Sequence, residues 1–278
     1  MSSLDQSTSS SSASVVLTPA TRSLPVSNAM ASTPAGRTPE KTMSPNASFN
    51  ETFGSEMVKI SVGEGSKKQE FHIHKRLLCQ KAPVFDRMFS GNFAEGQIGE
   101  ALLPEDDPKA FDMFASWLYR STVKDLGHEP GDFIDLFAFA EKYGIVCLMD
   151  STMDSFIGFL IKKKTRPGIN HFPRAYARTH YGSKLRLFLS RIWAYGVLNE
   201  DDNGKWASST LVPTGEKAQE ILIDGMTQLR GLNQSKSRNG KKLLENPKLA
   251  PLCDYHQHGK DEVCPYAKQK RKLDDSNC

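Results

Sequence analysis

The spacing of the apolar residues changes once along this chain, at His74. From Val58 to Val62, and again from Phe71 to His74, apolar and polar residues alternate, as in strands with one buried face. A turn with two glycines, residues 63–66, separates these runs, so they are predicted to form a hairpin. After His74 the apolar residues recur every three to four positions, which is typical of helices. Strands followed by helices predict an α+β domain.

Proline, aspartate and glycine residues punctuate the helical part of this domain. One short helix is predicted to end near Gln80 and another to begin at Pro83, because the residue before a proline resists helical angles. A glycine-containing loop and a short strand at residues 101–103 follow. Asp107 is predicted to cap the next helix. Further helices are predicted to begin at residues 131–132 and to run along the apolar stripe from Leu148 to Leu160.

The flanking segments differ from this domain in composition. Residues 1–53 are predicted to be a disordered tail, since 19 of the first 50 residues are Ser or Thr. Residues 54–165 form the domain, residues 166–235 a helical extension, and residues 236–278 a basic tail that contains Cys and His. Within the extension, the run from Tyr176 to Val197 combines apolar and basic residues. It is predicted to pack as an amphipathic helix with its basic residues outside; a nucleic-acid surface is the alternative.

Several classes of protein are disfavoured by the residue pattern. The five cysteines are odd in number and widely scattered, unlike a disulfide framework. No secretory signal or run of about 18 apolar residues is present, so a soluble intracellular protein is expected. The chain lacks a His-Glu-x-x-His motif and a glycine-rich phosphate loop, which disfavours an enzyme. It also lacks a zinc-finger pair and a leucine-zipper pattern, so nucleic acid is an unfavoured partner.

One stretch resembles a known family. The sequence HKRLLCQKAPVFDRMF at residues 74–89, continued by SGNFAE, resembles the signature of BTB/POZ domains. Residues 107–119 and 135–143 are similar to later helices of that family, and the likeness covers roughly residues 55–165. A short domain of this kind with a helical extension and a Cys/His tail resembles the filamentous-fungal type. The resemblance implies a short β-sheet capped by a helical cluster, and a protein-interaction module without catalysis.

The resemblance also implies roles for particular residues. His74 would be structural, bonding to backbone at the end of a strand, and Cys79 a small buried hydrophobe. Family members that form homodimers often carry an aspartate opposite a basic residue; here Met57 takes the acidic position while Lys75 keeps the base. The charge pair is therefore expected to be missing, which disfavours the usual intertwined homodimer. Self-association is still expected, and monomer or homodimer stays open.

Phe93 and Glu95 match a hydrophobic-x-Glu motif that adaptors of cullin-type ubiquitin ligases carry in the same loop. The resemblance implies a cullin scaffold as one partner, and Phe93 and Glu95 as the partner-binding residues. The alternative is that Phe93 caps the core and Glu95 is a solvated charge. Three residues alone do not decide between these interpretations.

The tail has chemistry of its own. Cys253, His256, His258 and Cys264 could supply the thiolates and imidazoles that tetrahedral zinc prefers. Zinc is therefore the one candidate cofactor; the alternative is a polar tail that docks on the helical extension. Beyond these residues lies a basic cluster suited to nuclear import, made up of Lys268, Lys270, Arg271 and Lys272. Localisation is thus predicted as nuclear or cytoplasmic.

Overall fold

Three strands form a mixed sheet in the computed structural model, which describes residues 53–91, 93–199, 212–234, 245–259 and 262–266. The central strand β1 (Met57–Val62) lies between β2 (Gln69–His74) and β3 (Glu100–Leu103). β1 runs antiparallel to β2 and parallel to β3. The alternation of apolar residues therefore predicted the hairpin, although β2 begins two residues before the expected start at Phe71.

Nine helices lie in the described residues. They are α1 (Lys75–Lys81), α2 (Pro83–Ser90), α3 (Ala94–Ile98), α4 (Pro108–Arg120), α5 (Pro130–Lys142), α6 (Val146–Lys162), α7 (His171–Arg178), α8 (Lys184–Leu198) and α9 (Ala218–Gln234). The break between α1 and α2 falls at Ala82, as the following proline predicts, and Asp107 caps α4 through the backbone N–H of Lys109. In this part of the chain, none of the helices is both long and apolar enough to cross a membrane.

Phenylalanines build the core between the sheet and the first helices. The ring of Phe111 on α4 lies 4.7 Å from that of Phe71 on β2 and 5.7 Å from that of Phe139 on α5. Phe114 stacks on Phe85 of α2 at 5.9 Å. Each strand and helix alone would expose one apolar face, and these ring contacts bury those faces against one another.

The helical extension departs from the sequence prediction. The single helix expected from Tyr176 to Val197 is wrong: α7 ends at Arg178 and α8 begins at Lys184. Arg186, which was expected among the basic residues on the outer side, is 5% exposed. Its guanidinium donates to the carbonyl oxygens of Tyr176 and Thr179 at the end of α7. The guanidinium on α8 therefore binds the carboxyl end of α7, where the dipole of α7 favours a cation.

The extension shares one core with the α+β domain. Phe156 on α6 stacks on Phe133 of α5 at 5.3 Å and meets Phe188 of α8 edge-on at 5.8 Å. All three side chains are buried. Helix α6 is therefore covered on one side by the domain and on another by the extension.

The predicted disordered tail and the predicted import residues lie outside the described residues, with one exception. Phe53, the last residue of that tail, lies with its ring 5.7 Å from the ring of His74 and 5.9 Å from that of Tyr119. Order therefore begins no later than Phe53, one residue before the expected boundary.

Candidate metal centre and interaction surface

A C-terminal segment, residues 245–259 and 262–266, docks on helices α6 and α8. It contains two short 3₁₀ turns, Pro247–Leu249 and Leu252–Tyr255. The side chain of Tyr255 is fully buried, packs edge-on against Phe188 at 5.1 Å, and donates from its hydroxyl to the carbonyl of Pro247. Arg191 of α8 forms an ion pair with Asp254 at 2.8 Å. An aromatic anchor and an ion pair thus hold the start of this segment in place.

The docked segment brings together the four residues that the sequence singled out as zinc ligands. The donor atoms of Cys253, His256, His258 and Cys264 all lie within 4.8 Å of one another. Cys253 lies in the second 3₁₀ turn, and His256 follows that turn in extended conformation. The turn lets the donor atoms of Cys253 and His256 approach each other, and His258 joins them although it is only two residues from His256.

Each imidazole is oriented by a bond from the nitrogen that points away from the cluster. His256 uses Nε2 to bond Asp154 Oδ1 at 2.9 Å, which leaves Nδ1 3.6 Å from the sulfur of Cys264. His258 uses Nδ1 to bond the carbonyl of Gly259 at 2.9 Å. Its Nε2 is buried and has no hydrogen-bond partner within the described ranges. One nitrogen of each ring is therefore held by an oxygen acceptor, while the other faces the cluster: Nδ1 of His256 bonds the sulfur of Cys264, and Nε2 of His258 has no partner among the described residues.

Two carboxylates of α6 support this cluster from outside. Besides Asp154, the buried Asp150 accepts the backbone N–H of Gln257 at 2.8 Å. Burial raises the pKa of Asp150, against the N–H of Gln257 and the positive potential of His256 and His258. Sequence pattern did not connect Asp150 and Asp154 with the tail, which lies about a hundred residues away. Their only local signal is a spacing of four, which places both on one face of a helix.

The electrostatics of the cluster favour a thiolate. Burial opposes ionisation of Cys264, but the backbone N–H of Tyr266 and the side chains of His256, Cys253 and His258 outweigh it. Together they lower the pKa of the Cys264 thiol to about 7. A thiolate is the form of cysteine that coordinates metals.

The predicted partner-binding residues lie on an exposed surface elsewhere on the domain. Phe93 is the N-cap of α3 and is 60% exposed, so it does not cap the core. Glu95 lies in the first turn of the same helix. The helix itself was missed, because a glycine-containing loop was expected there. Ile98 of α3 and Leu102 of the edge strand β3 are also exposed apolar side chains, each 70% exposed.

The remaining residues singled out by the resemblance are structural. The ring of His74 bonds the hydroxyl of Tyr119 at 2.8 Å, a side-chain partner in addition to the expected strand-end position. Cys79 is partly rather than fully buried. Lys75 forms an ion pair with Glu56 at 2.9 Å. The expectation that this charge pair is missing is therefore wrong: Lys75 has an acidic partner, which lies one residue before Met57.

Comparisons with known proteins agree with this architecture. Residues 49–159 match the model of the BTB/POZ domain family. The chain is similar to TD and POZ domain-containing protein 4 of Mus musculus, with 32% identity over 80 residues, 29% of this chain and 21% of that protein. It is also similar to TD and POZ domain-containing protein 1-like of Mus musculus, with 27% identity over 140 residues, 50% of this chain and 36% of that protein.

These alignments leave most of each relative uncovered, so they bear on the domain and not on the whole proteins. The family match covers the part of the chain in which the hairpin, the edge strand β3 and the surrounding helices were found. Protein–protein contact is what such a module does, usually without catalysis. Sequence, fold and family match together identify residues 49–159 as a BTB/POZ domain.

Proposed function

We propose that this protein recruits a partner protein through the surface formed by Phe93, Glu95, Ile98 and Leu102, and that the partner is a cullin-type scaffold of a ubiquitin ligase. The observation that carries the proposal is the exposure of Phe93. A large aromatic side chain is normally buried, and an exposed one beside other exposed apolar residues marks an interaction site.

The position of these residues supports a protein partner. Phe93 precedes α3 in extended conformation and its backbone carbonyl accepts from Gly96 and Gln97, so the backbone that carries the aromatic ring is held by the helix. Glu95 adds a negative charge two residues further along the chain. A few side chains usually contribute most of the binding energy of an interface, and an exposed aromatic ring is a candidate for one of them.

The first experiment is affinity purification of the full chain beside the Phe93→Ala/Glu95→Ala variant, followed by binding measurements with the purified cullin. We expect wild type to bind the scaffold and the variant to bind more than tenfold more weakly, since a dominant contact contributes about 2 kcal/mol or more. Tyr181→Ala/Glu105→Ala is the matched control, because it removes an exposed aromatic and an exposed acid elsewhere.

The outcomes separate the candidates. If the purified cullin does not bind wild type, the adaptor role is wrong. If the chain instead co-purifies with differently tagged copies of itself, self-association is the function of the domain. If variant and control lose binding equally, the Phe93 surface is not the contact.

A nuclear regulator that binds zinc through the C-terminal segment is the second candidate, favoured by the cluster of four donors. Its nuclear part depends on Lys268, Lys270, Arg271 and Lys272, which lie outside the described residues. Nuclear import therefore stays a prediction from the sequence, and so does the resemblance to the filamentous-fungal type.

A further inference from the structure

We propose that Cys253, His256, His258 and Cys264 bind one zinc ion, and that this ion fastens the end of the C-terminal segment to helix α6. The inference rests on the second candidate function, zinc binding by the C-terminal segment, and does not depend on partner recruitment by the BTB/POZ domain. Four donors converge on one point from a stretch of chain that lacks strands and long helices, which is the usual setting of a structural zinc site.

The distances fit a tetrahedral ion. Zinc bonds of about 2.3 Å to sulfur and about 2.0–2.1 Å to nitrogen place a sulfur and a nitrogen ligand about 3.6 Å apart in a tetrahedron. The sulfur of Cys264 and Nδ1 of His256 are 3.6 Å apart. The outer limit of 4.8 Å for all four donors requires only small side-chain rotations to close the remaining edges.

The ligand types select zinc. Calcium and magnesium prefer oxygen ligands, whereas two thiolates and two imidazoles suit zinc. Two thiolates balance the charge of the ion, so the neutral complex can lie in a partly buried place. Four protein ligands close the coordination sphere, which indicates a structural and not a catalytic role.

The groups around the ligands match this assignment. The carboxylate of Asp154 accepts from Nε2–H of His256, and the carbonyl of Gly259 accepts from Nδ1–H of His258. Such bonds fix the tautomer and orientation of ligating histidines. They assign Nδ1 of His256 and Nε2 of His258 as the metal-binding atoms. Nε2 of His258 is buried and has no hydrogen-bond partner among the described residues; the zinc ion would be its partner.

The ion would act on the half of the segment that has no aromatic anchor of its own on α8. Tyr255 is buried against Phe188 and holds the second 3₁₀ turn without a metal. Residues 256–259 and 262–266 follow that turn; His256 and Gln257 bond to Asp154 and Asp150 of α6, and Tyr266 interacts with Cys147 of the same helix. Zinc would therefore join Cys264 and His258 to the anchored Cys253 and keep His256 on the carboxylate of Asp154.

The test uses the full chain, purified without added chelator, with metal measured by elemental analysis. We expect one zinc per chain in wild type and its loss in Cys264→Ser and His258→Ala. Cys79→Ala and His180→Ala are matched controls, because they remove one thiol and one imidazole outside the cluster and should keep the metal. Replacing zinc with Co²⁺ should give the visible absorption of a tetrahedral ion and a thiolate charge-transfer band.

A second measurement tests whether bound zinc fastens the end of the C-terminal segment to α6 or only binds to it. Removing zinc by chelation should raise amide hydrogen exchange in residues 256–266 at least tenfold, while residues 247–255 change less and α4 does not change. Asp154→Asn should weaken zinc affinity about 10–100-fold in competition with a chromophoric chelator, as loss of an outer partner of a ligating histidine does.

Several results would overturn the proposal. Wild type that holds well under one zinc after reconstitution, and that gives no tetrahedral Co²⁺ spectrum, does not have the site. A disulfide between Cys253 and Cys264 in the native protein excludes it as well. If zinc binds but amide exchange in residues 256–266 is unchanged when zinc is removed, the ion does not fasten this part of the segment to α6. Should Cys264→Ser precipitate, the stoichiometry and the Co²⁺ spectrum of wild type decide alone.

Discussion

Arg186 shows why single residues in this chain can be misjudged from local pattern. It stands among leucines and phenylalanines on α8, at a position where an exposed charge would be expected. Instead it is buried, and its guanidinium reaches carbonyl oxygens of α7 and the carboxylate of Glu220 on α9 at 2.8 Å. A guanidinium presents five donors in a fixed fork, so one side chain can join three helices.

Removing this side chain should therefore weaken the whole extension. We expect Arg186→Ala to lower the free energy of unfolding by about 3 kcal/mol, because buried carbonyls and a carboxylate lose their partner. Arg230→Ala, on the exposed side of α9, should change it by less than about 0.5 kcal/mol. Urea unfolding of both variants checks this; equal stabilities would contradict the buried role of Arg186.

The candidate ligands illustrate what the sequence can and cannot predict at this scale. Cys253, His256, His258 and Cys264 were recognised because thiols and imidazoles were grouped within twelve residues. Asp150 and Asp154 were not recognised, because only the folded chain brings α6 to the tail. Local chemistry is legible in a sequence, whereas a partner about a hundred residues away leaves no local signal.

Among the elements, the start of α5 depends on one carboxylate. Asp132 accepts the backbone N–H groups of His128 and Glu129 and forms an ion pair with Lys109 of α4 at 2.5 Å. Burial alone would raise the pKa of Asp132, but Lys109 and the two N–H groups outweigh it and lower the pKa below its usual value. The charged form is therefore favoured in the folded state.

This interaction should make stability depend on pH. Because the folded-state pKa lies below the unfolded value of about 3.9, the stabilisation is complete above that value and is lost as pH falls through the folded pKa. We expect Asp132→Asn to cost about 1–2 kcal/mol at pH 7 and to lose less stability than wild type on acidification from pH 5 to pH 2. Denaturant unfolding at each pH measures it. Asp112→Asn, at an exposed position, is the control; parallel curves for all three proteins would contradict the role of Asp132.

Sequence pattern predicted most elements here, and its failures have physical causes. Strands β1 and β2, the break at Ala82 and the cap at Asp107 depend on local rules of alternation, proline geometry and capping. Helix α3 was missed because it is short and has glycine at position 96. The break between α7 and α8 was missed although Gly182, with φ of 89°, lies in it; the turn is also stabilised by Arg186, which donates to Thr179 seven residues earlier.

At the scale of the whole molecule, the BTB/POZ domain and the helical extension meet at α6. Phe188 of α8 touches Phe156 of α6 and Tyr255 of the C-terminal segment, and all three are buried. The hydrophobic core continues from the sheet through to Ile221 of α9. The two parts are therefore expected to unfold together.

A substitution in the extension should accordingly destabilise the domain. We expect Phe188→Ala to lower the free energy of unfolding by about 3–5 kcal/mol, since it removes a fully buried ring and leaves a cavity. Hydrogen exchange should speed up in α5 and α6 as well as in α8. Tyr181→Ala, at an exposed position before α8, is the control. Faster exchange confined to α8 and α9 would mean that the two parts unfold independently.

The distance in sequence between α6 and the segment that covers it has a consequence for synthesis of the chain. His256 bonds to Asp154 across a separation of 102 residues. At about 5–20 residues per second, a ribosome completes α6 about 5–20 s before it adds the segment that contains His256. During that interval one apolar face of α6 is uncovered on the nascent chain. We therefore expect chaperones to bind mainly while α8 and the C-terminal segment are still being synthesised.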